Sequence, residues 1–181
     1  MKNLISLHAR VFDPISRADW LVPTLARIVF AGVLLVYYLN SAKTKVGASI
    51  FQPSDGAYVQ IFPKAMEAAG YDSSQLNVFH WAVALAGTWA EFILPVLIVI
   101  GLLTRLASLG MIGFVFVQSV VDVTGHGLAA KDIGTWFDNQ ASALLLDQRA
   151  FWVFLLIVLV IKGAGPLSVD RLLARSPQAD A

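Results

Sequence analysis

Four long apolar segments constrain the fold of this chain more than any other feature. They lie at about residues 20–42, 78–103, 106–124 and 144–164, and each comes close to the roughly 20 residues that a helix needs to cross a bilayer. Only 14% of the residues are charged, against about a quarter in an average soluble domain. We therefore expect an all-α integral membrane protein, a four-helix bundle that forms one domain over residues 1–181.

The orientation of such a bundle follows from the lysine and arginine residues near the ends of the segments. The long loops at residues 43–77 and 125–148 lie on one side if all four segments cross the membrane, and cytoplasmic loops carry an excess of positive residues. Seven such residues fall on the side of the termini: Lys2, Arg10, Arg17, Arg105, Lys162, Arg171 and Arg175. Five fall on the opposite side: Lys43, Lys45, Lys64, Lys131 and Arg149. This pattern predicts cytoplasmic termini and two long outward loops.

Charge and cysteine content exclude several classes of function. The formal net charge is only +1, so the chain has no overall field that would attract nucleic acid. The sequence has no cysteine, which excludes disulfides, thiol redox chemistry and thiolate metal sites. We also expect no haem, flavin or metal, although His80 and His126 together, or Asp122 with His126, are the residues that such a group would use.

Glu91 stands near the middle of the second segment, within the stretch WAEFILPVLIVIGLLTR. An acidic side chain at the bilayer centre costs about 2.5–3.5 kcal/mol on insertion scales, so it should face the interior of the bundle. Small and polar residues share its helical face: His80, Ala84, Gly87, Thr88, Glu91 and Pro95. This face predicts a polar interior site in an otherwise apolar helix.

Arg27 is the expected partner of Glu91. At 1.5 Å per residue it lies about 10 Å above the cytoplasmic boundary and Glu91 about 18 Å above it, a difference that an extended arginine can bridge. Two interpretations of the pair stay open. It can fix the packing of the helices, or it can serve ligand binding or proton handling.

Polar residues on the neighbouring segments extend this site. Tyr38 shares a face with Arg27 in the first segment, while Gln118, Asp122 and His126 share a face of the third. The predicted ligand-binding residues are accordingly Tyr38, Thr88, Gln118, Asp122, His126 and His80. For His80, and for Asp122 with His126, a simple position at the membrane surface is the alternative.

Three motifs resemble the DoxX family of small four-helix membrane proteins. They are an arginine early in the first segment, Glu91 followed by IVIGLLTRLASL, and a closing KGAGPLSVDRLL; the resemblance covers about residues 20–173. Family positions are matched by Arg27, Glu91, Gly101, Thr104, Arg105, Gly163, Gly165, Ser168 and Asp170. Lys43 and Lys45 both compete for the lysine that the family usually carries near the end of the first segment.

The resemblance implies a multi-pass protein of the prokaryotic plasma (inner) membrane, with relatives linked to quinone-dependent thiosulfate oxidation and membrane oxidoreductase complexes. We expect a component of a quinone-linked redox system, such as an accessory subunit of an oxidoreductase, which binds a quinone or similar amphipathic ligand. Glu91 would exchange a proton, and Arg27 would stabilise the charge state of Glu91. Electrons would come from a redox protein partner, and the partners considered include a second copy of the chain in a homo-oligomer. The alternatives are a non-catalytic membrane anchor or assembly subunit, and a proton-coupled carrier.

Overall fold

The computed structural model describes residues 6–8, 10–13 and 18–174; Lys2, Arg17 and Arg175 of the positive-charge pattern lie outside these ranges. Four helices in the described chain are long and apolar enough to cross a membrane: Leu21–Lys45, Val78–Ile100, Thr104–Gly125 and Leu144–Lys162. We call these helices the first, second, third and fourth spans, in chain order. All four predicted segments are therefore confirmed as helices, and their bounds differ from the predicted ones by a few residues.

A sharp turn separates the second and third spans. Gly101 adopts φ +74° and Leu103 adopts φ +49°, both in the left-handed region. A Cβ atom on Gly101 would lie 2.5 Å from Cβ of Ser168 and 2.9 Å from Cζ of Arg27. Glycine is therefore required here for both its backbone freedom and its lack of a side chain, and the second span ends at Ile100 instead of continuing to residue 103.

The four spans form a closed bundle in which each packs against two neighbours, in the order first, second, third and fourth, with the fourth returning to the first. Apolar side chains from all four spans fill the centre, among them Phe30, Leu34, Ile98, Met111 and Leu156. A smaller cluster joins Ala57, Tyr58 and Met66 of the first long connection to Ala84 of the second span. The first connection is thus packed onto the bundle.

The two long connections, residues 46–77 and 126–143, meet at one end of the bundle, which we call the loop end. The first contains the short helices Asp55–Ile61 and Pro63–Ala68, and the second contains Ala130–Ile133. Nε2 of His126 lies 2.9 Å from the backbone oxygen of Gln60, which links the two connections. At the opposite, terminal end, the helix Val169–Ala174 follows the fourth span.

Candidate functional site

Glu91 is buried inside the bundle, with 3% of the residue exposed, and its partner is Lys45. Nζ of Lys45 donates to both carboxylate oxygens of Glu91, at 3.0 and 2.8 Å. The hydroxyl of Ser41 donates to the carboxylate at 3.1 Å and accepts from Lys45 at 2.6 Å. Lys45 is itself only 5% exposed. The expected burial of Glu91 among polar groups is confirmed, and Lys45 is the lysine at the end of the first span that contacts it.

The predicted pairing of Glu91 with Arg27 is wrong. The guanidinium of Arg27 extends to the terminal end of the bundle, where Nε donates to the carbonyl of Ile98 at 3.0 Å and Nη2 donates to the carbonyl of Val99. Nη1 donates to the carbonyls of Ala164 and Leu167, at 2.9 and 2.5 Å. The carbonyls of Ile98 and Val99 belong to the last turn of the second span, and the last carbonyls of a helix attract cations. Those of Ala164 and Leu167 belong to the turn that follows the fourth span. Together they bind the guanidinium group of Arg27 at the terminal end.

Asp170 completes this group at the terminal end. Its carboxylate accepts from the backbone amides of Leu103 and Thr104, at 2.7 and 3.0 Å, and from the hydroxyl of Thr104 at 2.9 Å. Burial alone would raise the pKa of Asp170. The hydrogen bonds from Thr104 and Leu103, together with the positive charge of Arg27, nevertheless hold that pKa below its ordinary value. Arg27 and Asp170 therefore join the ends of all four spans.

A cavity of about 470 Å³ lies beside Glu91, between the second and third spans and bordered by the first. Small residues from the two facing helices line one part of it: Ala86, Gly87, Ala90, Gly110 and Gly113. Polar residues line another part: Lys45, Glu91, Gln118, Asp122 and His126. The small side chains leave space that bulky residues would fill, so the polar groups border an open volume instead of a packed core.

Gln118 is held in place by two tyrosines of the first span. Its amide donates to the hydroxyl of Tyr37 at 3.1 Å, and its oxygen lies 3.5 Å from the hydroxyl of Tyr38. Tyr38 is fully buried among aromatic rings, including Phe114 and Trp152, and it does not line the cavity, whereas Tyr37 does. The predicted ligand-binding residues included Tyr38 but not Tyr37.

A second buried ion pair lies toward the loop end. Nη2 of Arg149 donates to Asp122 at 2.5 Å, and Nη1 donates to the hydroxyl of Ser119 at 2.8 Å. Arg149 is only 4% exposed. The sequence pattern assigned it to the positive residues on the side of the long loops; in the structure it lies in the first turns of the fourth span, near the loop end, with its side chain buried against the third span. The paired carboxylate of Asp122 lines the cavity.

Of the other predicted ligand-binding residues, one lines the cavity and two do not. His126 lines the loop-end part of the cavity. Thr88 is buried but donates to the carbonyl of Ala84 within its own helix, and it does not line the cavity. His80 is partly exposed at the start of the second span, with Nδ1 2.8 Å from Oδ1 of Asn77 and its ring against Phe62. The structure therefore does not bring His80 together with Glu91 at the cavity.

A signal for Lys45 was present in the sequence. Arg27 and Tyr38 were assigned to one face of the first segment, and the same helical face continues through Ser41 to Lys45, three and seven residues after Tyr38. The apolar segment appeared to end at Ala42, so Lys45 was assigned to the loop. A helix that continues three residues beyond its apolar part brings the ammonium group inward.

Comparison with known proteins gives one match. No curated protein and no solved structure matches this chain. The family model described as DoxX matches residues 22–126, more than half of the chain. The matched range holds Arg27, Lys45, Glu91 and the whole cavity lining. The closing Gly-Ala-Gly-Pro motif lies beyond it. With four membrane-spanning helices and this match over its first three spans, the chain belongs to the DoxX family.

Proposed function

We propose that this protein is a membrane component of a quinone-linked redox system that binds a quinone, or a similar amphipathic ligand, in the cavity beside Glu91. The observation that carries the proposal is the 470 Å³ cavity with the Lys45–Glu91 pair in its wall. Ligand pockets typically measure about 300–1,000 Å³ and combine apolar walls with a few placed polar groups. This cavity has both properties.

The balance of charge around the cavity favours a neutral head group. The positive charge of Lys45 is paired with Glu91, and that of Arg149 is paired with Asp122. An anionic ligand would need an unpaired cation, because a buried charge is costly unless it is compensated. A quinone ring is uncharged and offers carbonyl oxygens to donors. The amide of Gln118 and the hydroxyl of Tyr37 are suitable donors at the cavity wall.

Glu91 supplies the group that can exchange a proton at this site. A quinone takes up protons together with electrons when it is reduced. The carboxyl group of Glu91 borders the cavity, and Lys45 and Ser41 hold it in one orientation through three contacts. A carboxyl group placed within reach of the reacting oxygen can act as a general acid or base. Electrons would come from a redox protein partner.

Native-lipid nanodiscs provide the test of ligand binding. We would extract the purified protein with organic solvent, measure the quinone per chain by mass spectrometry, and compare Glu91→Gln with Glu67→Gln. Glu67 is exposed in the first long connection, so Glu67→Gln is the matched control. We expect bound quinone in the wild type and the control and its loss in folded Glu91→Gln. Equal amounts in all three, or none above the lipid background, would refute the proposal.

A second candidate function is a membrane anchor or assembly subunit. The observation that favours it is the exposure of Trp136 and Phe137 at the loop end, where Trp136 is 61% exposed and Phe137 adopts φ +66°. Exposed aromatic residues are enriched in protein interfaces. In that case Phe137→Ser would release a redox partner that co-purifies with the wild type, whereas Glu91→Gln would retain both the partner and the activity of the complex.

We further propose that the protein lies in the prokaryotic plasma membrane with its loop end outward. The burial of Lys45 and Arg149 strengthens the charge argument, because both leave the set of positive residues that belong to the outer loops. Lys43, Lys64 and Lys131 remain in that set. Single cysteines in this cysteine-free chain, at Glu67 and at Arg171, would test it. A membrane-impermeant maleimide added to intact cells should label only the first.

A further inference from the structure

An uncharged stretch follows Lys45 directly and folds into a short hairpin. Residues 46–53, VGASIFQP, contain no acidic or basic side chain. Val46 and Pro53 form an antiparallel bridge, and the amide of Gly47 donates to the carbonyl of Gln52 at 2.8 Å. A Cβ atom on Gly47 would lie 2.6 Å from that carbonyl oxygen, so the close approach requires glycine. We call residues 46–53 the hairpin.

Two tryptophans of the second span fix the depth of this hairpin. The indole of Trp81 donates to the carbonyl of Phe51 at 3.1 Å, and the indole of Trp89 donates to the carbonyl of Ile50 at 3.1 Å. Trp89 is the central residue of the 23-residue helix Val78–Ile100. It therefore lies about 16 Å from either end of that helix at 1.5 Å per residue. At the same rise per residue, Trp81 lies about 5 Å from the start of that helix. The hydrocarbon core is about 30 Å thick, so the two anchors together place the hairpin tip in the half of the core nearest the loop end.

The chemistry of the tip suits hydrocarbon. Ile50 is 56% exposed and Phe51 is 64% exposed, and both are apolar. Backbone carbonyl groups at membrane depth need hydrogen-bond donors from the protein, because no water reaches them there. The two indole groups supply such donors to the carbonyls of Ile50 and Phe51. Further along the same side of the second span, four and seven residues after Trp89, Ile93 and Val96 are also exposed, so the hairpin continues an apolar surface.

We propose that residues 46–53 form a re-entrant hairpin whose Ile50 and Phe51 side chains contact the acyl chains of the bilayer. The occupant of this surface is lipid, because the tip lies between Trp81 and Trp89 in the loop-end half of a membrane span and its exposed side chains are apolar and uncharged. Since the hairpin begins directly after Lys45, its position in the bilayer also fixes the height of the ammonium group beside Glu91. The inference does not depend on which ligand the cavity binds.

Because the sequence contains no cysteine, a single introduced cysteine can be labelled at one chosen position. We would attach a nitroxide spin label to Phe51→Cys in vesicles of phosphatidylethanolamine and phosphatidylglycerol. Its collision rates with oxygen, which concentrates in hydrocarbon, and with a water-soluble nickel chelate would then be measured. Phe154→Cys is the lipid reference, because Phe154 is 66% exposed in the fourth span. Glu67→Cys is the aqueous reference in the same connection.

We expect the ratio of oxygen to nickel collisions at Phe51→Cys to exceed that at Glu67→Cys and to lie nearer that at Phe154→Cys. A ratio equal to that of Glu67→Cys would place the hairpin in water and overturn the proposal. Ile50→Cys provides a second position with the same two outcomes. Because both residues are exposed, each variant should keep the wild-type thermal unfolding temperature, and labels are compared only in variants that do.

Discussion

Replacing Lys45 with methionine should destabilise the protein strongly, because it leaves the Glu91 carboxylate buried without its ammonium partner. The two side chains are 6% and 4% exposed and their closest atoms are 2.8 Å apart. Removing one partner from a buried ion pair typically costs about 3–5 kcal/mol. We expect a loss in this range in the free energy of unfolding, measured in mixed dodecylmaltoside and dodecylsulfate micelles by tryptophan fluorescence.

The ion pair Lys162–Asp19 supplies a matched control within the same protein. Its nitrogen and oxygen are 3.5 Å apart, and its side chains are 48% and 85% exposed. Exposed pairs contribute about 0–1 kcal/mol, because water and salt screen them. Lys162→Met should therefore change the unfolding free energy by no more than that amount.

A double variant separates the loss of a contact from the cost of an uncompensated charge. Replacing a buried ion pair by apolar residues of similar volume is often neutral or stabilising. Lys45→Met combined with Glu91→Leu should therefore be more stable than Lys45→Met alone, by about 2–3 kcal/mol on the same reasoning. The reasoning would be refuted if Lys45→Met cost no more than Lys162→Met, or if the losses of the two single variants simply added.

Four further changes test the rest of the structure. Arg27→Ala removes four charge-assisted hydrogen bonds and should lower the unfolding free energy by about 3 kcal/mol or more, while folded protein keeps its ligand. Gly101→Ala should cost more than about 1 kcal/mol in the same assay, because φ is +74° and the added Cβ meets Ser168. The folded-state pKa of Asp170 lies below its ordinary 3.8, so its carboxylate stabilises the fold above that pH and this contribution disappears as pH falls through the folded-state pKa. The stability difference between wild type and Asp170→Asn should therefore shrink as an unfolding series is taken from pH 6 to acid. Trp89→Phe removes one indole donor and should move a spin label at Phe51 toward the collision ratio of the aqueous reference.

The four spans could be predicted from the sequence because the bilayer imposes one simple requirement on a helix, a continuous apolar stretch of sufficient length. Their bounds depend on local chemistry. The third predicted segment began at residue 106, whereas the helix begins at Thr104, since the Asp170 carboxylate accepts from the free amides of Leu103 and Thr104 at its start. Asp170 is 66 residues away in sequence from Thr104, and no local pattern relates the two.

The candidate site could be predicted in part. That a carboxylate in mid-membrane must be enclosed follows from its insertion cost alone, and Glu91 is enclosed. Its partner depends on how far the neighbouring helix extends and on what else attracts each cation. The height estimated for Arg27 along the first span suited a contact with Glu91. Arg27 also had carbonyl groups at the ends of the second and fourth spans within reach, whereas Lys45 had only Ser41 and Glu91. Which acceptor each cation binds depends on all the acceptors within its reach in the folded bundle, and a single sequence does not show these distances.

The acceptors that the two cations bind also explain why the cavity can stay open. A buried carboxylate attracts whichever cation can reach it, and an arginine at Glu91 would extend its planar guanidinium group into the space beside the carboxylate. Lys45 instead approaches from the end of the first span and places all its donors on Ser41 and Glu91. The cavity-lining residue Gly113 then faces open space, since no atom lies within 4 Å of a Cβ atom added there. Assigning Arg27 to the terminal end and Lys45 to Glu91 therefore keeps the carboxylate compensated while leaving room for a ligand next to it.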